Sequence, residues 1–252
     1  MTDASVLVVQ NGPNGGPGRF GECLTEAGLA LDVVHGYAGQ TPPETLDPRE
    51  HQAVVVLGGG FMPDASDRAP WLTATRKLVT QALEREVPVF GVCLGGQLLA
   101  QVAGGSVRAE HGTPEVGSTP LTLRDEAADD PLFHELPPRV TAIENHVDAI
   151  TTLPPGAHWL MSSTDCPYQA FRVGTSAWGV QFHPEITPAR LRDWDPARLH
   201  RLGFAPDEVS RTAQRNESAA DPVWRTVAHR FAAVVRAGGA PSGTGRPENA
   251  AG

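Results

Sequence analysis

Cysteine is scarce in this chain. Cys23, Cys93 and Cys166 are the three in 252 residues, and none forms a CxxC pair. That excludes a disulfide framework and the paired-cysteine zinc and redox motifs. It fits a reducing compartment, where a free thiolate survives. Long apolar runs are missing as well: none reaches the roughly 20 residues of a membrane span. No basic region or signal-length apolar stretch precedes the first strand, so the expectation is a cytoplasmic protein without a membrane partner. Positive charge is in deficit, with 20 Lys and Arg against 29 Asp and Glu and a net charge of -9. Without a basic patch, nucleic acid is not an expected partner. There is no internal repeat and no phosphate-cradling GxxxxGKS/T loop. His111, His134 and His158 lack ligand spacing, so neither metal nor cofactor is expected.

The hydrophobic pattern has strands alternating with helices. Val6–Val9 reads as a fully buried strand, and Leu31–Val34, Ala53–Leu57 and Val87–Val92 as further strands. Arg19–Ala27 and the segment from Pro70-Trp71 to Glu86 read as the helices between them. This order predicts an α/β fold with a mostly parallel central sheet covered by helices on both faces. From Gly104 to Val180 the segments shorten: Leu121–Leu123, Val140–Ile143, Trp159–Met161, Gln169–Phe171 and Ala177–Val180 predict a smaller, partly antiparallel extension. Helix-like pieces follow at Pro188–Asp193, Pro196–Leu202, Pro206–Thr212 and Pro222–Val235. The expected organisation is one domain over 1–236, with 186–236 its C-terminal helical segment and 237–252 a disordered tail.

Val87–Ala100 carries the chemistry. An apolar strand runs into Gly91-Val-Cys93-Leu-Gly-Gly-Gln97 and then into a helix, the layout of a nucleophile elbow. The helix amino end favours a thiolate at Cys93 and a developing oxyanion. A cysteine nucleophile needs a base, and the base an orienting group. Among 9 histidines, His183 stands apart, at the end of the apolar strand Ala177–Phe182 and followed by Pro184 and Glu185. The two-residue offset brings Glu185 to the side of His183. Candidate oxyanion donors are the amide of Leu94 and the loop Gly58-Gly59-Gly60, with the choice between Gly59 and Gly60 open. Cys23 reads as core, and Cys166 as a loop residue without an activator. The Asp129-Asp130 and Arg124–Glu126 clusters read as solvated charge.

Gly91–Gln97 together with Gln181-Phe-His-Pro-Glu185, 90 residues apart from Cys93 to His183, resembles the class I glutamine amidotransferases. Leu57–Gly60, Pro70-Trp71, Asn145-His-Val-Asp148 with Leu153-Pro154, and Cys166–Phe171 extend the resemblance to the stand-alone branch similar to GMP synthase amidotransferase domains. The resemblance implies a flavodoxin-like fold, with Cys93 as nucleophile, His183 as base and later acid, and Glu185 as its orienter. It also implies that Gln97, Val147 and Asp148 bind the amino-acid end of the substrate, with His146 and Asp148 in the loop shaping that pocket. Gly96 stands where His or Ala is common, which is expected to loosen the first helical turn.

The function expected is glutamine hydrolysis through a γ-glutamyl thioester, with ammonia passed to a separate synthetase or other acceptor enzyme. Two alternatives share the sequence: a γ-glutamyl hydrolase acting on γ-glutamyl amides, and a catalytically silent regulatory or binding protein.

Overall fold

The computed structural model describes residues 4–238. Its main sheet has nine strands in the order β2-β1-β3-β4-β11-β10-β9-β6-β7. β1 (Ser5–Gln10), β2 (Ala30–His35), β3 (Ala53–Val56), β4 (Val89–Val92) and β11 (Ala177–Val180) run parallel. β10 (Ala170–Val173), β9 (His158–Ser162), β6 (Glu115–Leu123) and β7 (Arg139–His146) continue it antiparallel. The α/β expectation with its antiparallel extension holds. β6 and β7 are longer than their apolar runs because the added residues are polar, several of them, such as Glu115, Glu144 and His146, buried. A second, two-stranded sheet of β5 (Ser106–Arg108) and β8 (Ala149–Thr152) had no sequence prediction.

β1, β3, β4 and β11 are buried on both faces, as their continuous apolar runs require, whereas β2 at the sheet edge is only partly covered. Val6 and Val8 join Phe90, Val92 and Trp178 on one face, beneath α1 (Gly18–Glu26) and α5 (Pro206–Gly238). Leu7, Val9, Val54 and Val56 face the other side, beneath α2 (Trp71–Glu84) and α3 (Leu94–Val102). Phe20 stacks on Phe90 in the first layer, centroids 4.5 Å apart, and Phe231 packs against both at an angle.

α5 corrects the expectation of two helices, at Pro206–Thr212 and Pro222–Val235. It is one helix of 33 residues with Pro222 inside it. Proline removes the donor for the carbonyl of Ser218 and costs about 3 kcal/mol. The buried stripe of Val209, Ala213, Ala220, Trp224, Val227 and Phe231 continues across the proline, and each large apolar side chain so covered contributes about 1.5–3 kcal/mol. Burial wins over the local break. Ala237 and Gly238, expected in a tail, close this helix; the rest of that expected tail, 239–252, lies outside the described residues.

Asp130 departs from the solvated reading. It is fully buried, pairs with Arg172 at 2.8 Å, and accepts hydrogen bonds from the amides of Leu132 and Phe133 and from the Trp178 indole. α4 (Pro196–Arg201) follows a 3-10 turn at Pro188–Asp193 and is capped by Asp195, which accepts from the amide of Ala197 at 2.9 Å. No helix among the described residues is long and apolar enough to cross a membrane.

Candidate active site

β4 delivers Cys93 into a turn that a side-chain-bearing residue seldom adopts, with φ 50° and ψ -107°. Such a backbone stores about 1–3 kcal/mol and persists only where the surroundings hold it. They do: the Cys93 amide donates to the Val180 carbonyl at 2.8 Å, and the Gln97 amide donates to the Cys93 carbonyl at 2.9 Å. The first turn of α3 presses directly on the sheet. A Cβ on Gly95 would overlap the Val56 carbonyl oxygen, and one on Gly96 would sit 2.5 Å from that of Val180. Gly96 therefore does not loosen the turn as expected; it permits a backbone approach that a side chain forbids.

β11, predicted to reach Phe182, ends at Val180. Beyond it the His183 amide donates to the Ile143 carbonyl at 2.8 Å, which bridges the chain to β7. His183 Nδ1 and Glu185 Oε1 are 2.7 Å apart, both residues buried. With Nδ1 engaged, Nε2 is the ring nitrogen left for the sulfur. Burial opposes the imidazolium, but the Glu185 charge and hydrogen bonds with Cys93 and Glu185 outweigh it. The His183 pKa lies well above the ordinary imidazole range.

The His183–Glu185 turn is clamped from α1. Arg19 is buried; its Nε donates to the Pro184 carbonyl at 3.1 Å and its Nη2 to that of Ile186 at 2.9 Å. Its own amide donates to the Glu185 carbonyl at 3.1 Å. Nη1 meets Glu217 and Asp221 of α5, each at 2.9 Å. Gly18 lies so close that a Cβ there would overlap the Glu185 carbonyl oxygen. This clamp has no local signature in the chain, because its partners are 165 to 202 residues away.

Cys93, His183 and Glu185 line a cavity of about 390 Å³ with Gly58, Gly59 and Gly60. Asn11 steadies that glycine loop: its Nδ2 donates to the Leu57 carbonyl at 2.7 Å, and its Oδ1 accepts from the Trp71 indole at 2.8 Å. Gly59 packs on Asn11 and Leu94, whereas a Cβ on Gly60 would meet nothing. Leu94 is buried at the start of α3, where helical amides have no intrahelical acceptor. Asn14, Asn145, Asp193, Trp194, Asp195 and Arg198 also line it; none was singled out as a site residue from the sequence.

The residues expected to hold the substrate's far end are placed less directly. Gln97 is buried and donates to Gln181 Oε1 and to the Asp148 carbonyl, each at 3.2 Å. Gln181 in turn lies 3.6 Å from the Cys93 sulfur. The Asp148 carbonyl also accepts from His146 Nδ1 at 3.0 Å, and the Val147 carbonyl accepts from the His111 amide. Val147 borders a neighbouring cavity, which shares Arg198 with the first.

At the ends of β6 and β7 lies a buried polar cluster. His146 Nε2 is 3.0 Å from Glu115 and 3.5 Å from Glu144. Both Glu144 oxygens are buried without a hydrogen-bond partner, as is Gln169 Oε1. Burial and the Glu115 charge push the Glu144 pKa well above the carboxylate range. Glu115, His146 and Cys166 bring ligand-type atoms within 4.8 Å of one another, as do Cys23, Glu26 and His229. Burial raises the Cys166 thiol pKa, which disfavours the thiolate that a metal would need.

The family model for glutamine amidotransferase class-I matches residues 20–193. The chain belongs to this family. It is 38% identical over 157 residues to the glutamine-hydrolyzing GMP synthase of Streptococcus mutans, covering 60% of this chain and 27% of that protein. It is 38% identical over 131 residues to that of Porphyromonas gingivalis, covering 46% of this chain and 25% of the relative. The chain thus spans about a quarter of the length of these curated relatives. Among solved structures it is similar to a glutamine amidotransferase of Thermotoga maritima, with a TM-score of 0.81 and 26% identity over 92% of this chain and 99% of that one. A glutamine amidotransferase from Methylobacillus flagellatus, at 24% identity and a TM-score of 0.78, shares the fold over 91% of this chain and 94% of its own.

Proposed function

We propose that the chain hydrolyses the γ-carboxamide of glutamine at Cys93. The observation that carries the reading is the buried His183–Glu185 pair, 2.7 Å apart and facing one cavity with the strained Cys93. The Cys93 thiolate attacks the γ-carbonyl, and the amides of Leu94 and of Gly59 or Gly60 receive the oxyanion. His183, held charged by Glu185, gives its proton to the departing nitrogen, and ammonia leaves as the thioester forms. His183 then takes a proton from water as the water attacks the thioester, and returns it to the sulfur as glutamate departs. Gln97, Val147 and Asp148 border the substrate's amino-acid end.

The similarity to a quarter of the GMP synthases supports an acceptor for the ammonia on a separate polypeptide, in the cytoplasm. The reading invokes no cofactor for the hydrolysis, and neither a membrane nor a nucleic acid enters it.

The test compares wild type with Cys93→Ala on glutamine and on a panel of γ-glutamyl amides, following ammonia and free glutamate. Glutamine turnover lost in Cys93→Ala is the expected result. Equal rates in both proteins would refute the reading, and strong turnover of γ-glutamyl amides with little of glutamine would transfer it to a γ-glutamyl hydrolase.

A further inference from the structure

Arg198 enters the catalytic cavity from α4, which lies beyond the residues 20–193 matched by the family model. It also borders the adjoining cavity with Val147 and Glu110. The side chain is half-buried and spends one of its five N–H donors, from Nη1 to Asn145 Oδ1 at 2.6 Å. No carboxylate pairs with it among the described residues. A cation held in a cleft, with most of its donors unspent, is built to receive an anion.

Its placement is tied to the reacting centre. Asn145 follows Ile143 by two residues on β7, and the Ile143 carbonyl holds the His183 amide. Leu199, the next residue after Arg198, packs with Ile143, Ile186 and Leu191 in one buried cluster. The guanidinium and the imidazole are thus positioned by the same strand. A substrate whose amide carbon sits at Cys93 extends an amino-acid end across the cavity, and that end carries a carboxylate.

We propose that Arg198 binds the α-carboxylate of the substrate and so restricts the site to γ-amides of an α-amino acid. The inference rests on the glutaminase reading for the identity of the substrate. Arg198 is a binding residue here, and the chemistry at the sulfur does not pass through it.

The experiment measures binding by calorimetry in Cys93→Ala, with L-glutamine and with 4-aminobutyramide, which is glutamine without its α-carboxylate. Adding Arg198→Ala is expected to weaken L-glutamine about 10- to 100-fold, the range of a lost charge-assisted pair, and to leave the weak binding of 4-aminobutyramide unchanged. Arg198→Lys keeps the charge without the fork and falls between. Circular dichroism confirms that each variant folds, and Arg198→Gln replaces any that does not. Equal weakening of both ligands, no weakening of either, or no binding of L-glutamine to Cys93→Ala would overturn the proposal. The two readings fail separately. Turnover of glutamine by wild type with an Arg198-independent affinity sinks only the carboxylate site. Arg198-dependent binding without turnover sinks only the hydrolysis.

Discussion

Arg19→Ala removes a single side chain that touches no part of the cavity, and the structure assigns it a large effect. Two buried carbonyls, of Pro184 and Ile186, lose their donors, at about 1–3 kcal/mol each. The pairs with Glu217 and Asp221 are part-exposed on the acid side and add only about 0–1 kcal/mol. The expected loss is therefore about 2–7 kcal/mol, most of it from the two carbonyls. That is a large part of the roughly 5–15 kcal/mol that holds a typical domain folded. The same carbonyls flank Glu185, so the His183–Glu185 pair loses its fixed position. A displacement of about 1 Å at a reacting group costs roughly 10²-fold in rate. Urea unfolding followed by tryptophan fluorescence measures the first effect. Glutamine turnover at low temperature, where the variant stays folded, measures the second. Arg19→Lys retains the charge beside Glu217 and Asp221 but not the fork that spans both carbonyls, so it should recover stability more than rate. An Arg19→Ala protein within 1 kcal/mol of wild type and with full turnover would refute the clamp.

Two titration predictions follow from the buried groups. The His183 pKa is raised in the folded state, chiefly by Glu185 against the opposing effect of burial. Its stabilising contribution is therefore complete below the unfolded imidazole pKa of about 6.5 and is lost as pH rises through the folded value. Glu185→Gln should move the alkaline limb of the kcat/KM profile to lower pH; an unmoved limb would separate it from His183. Glu144 is likewise raised, by burial and then by Glu115, so its ionisation is opposed by folding and wild-type stability falls as pH climbs above about 4.3. Glu144→Gln should raise the Tm at pH 7–8 and converge with wild type below pH 4, whereas a Tm difference independent of pH would show that Glu144 is not the titrating group.

Much of this protein was legible in the chain itself, and what was legible was local. Buried parallel strands announce themselves as unbroken apolar runs. The elbow needs glycine where α3 meets the sheet, and His183 and Glu185 are two residues apart, so their contact follows from backbone geometry. Composition alone excluded a disulfide scaffold. Where local rules failed, a distant partner had reversed them. Pro222 reads as a helix boundary, but the sheet beneath α5 covers apolar residues on both sides of it. Asp130 reads as solvated until β10 and β11 bring Arg172 and Trp178 against it. Short strands such as β5 and β8 carry too few residues for a period and form only by pairing across the fold.

The chain alone singled out Cys93, His183 and Glu185 as the candidates for nucleophile, base and orienter, because each is written within a few residues of a strand end. Their surroundings came from the folded chain: the Arg19 clamp, the buried Glu144 with its raised pKa, and Arg198 in the cavity wall. The partners of the two arginines lie 53 to 202 residues away, and Glu144 is buried without a hydrogen bond, with His146 3.5 Å from it. The reason is physical. A charge's role is set by what shares its low-dielectric surroundings, and chain folding, not sequence spacing, chooses those neighbours.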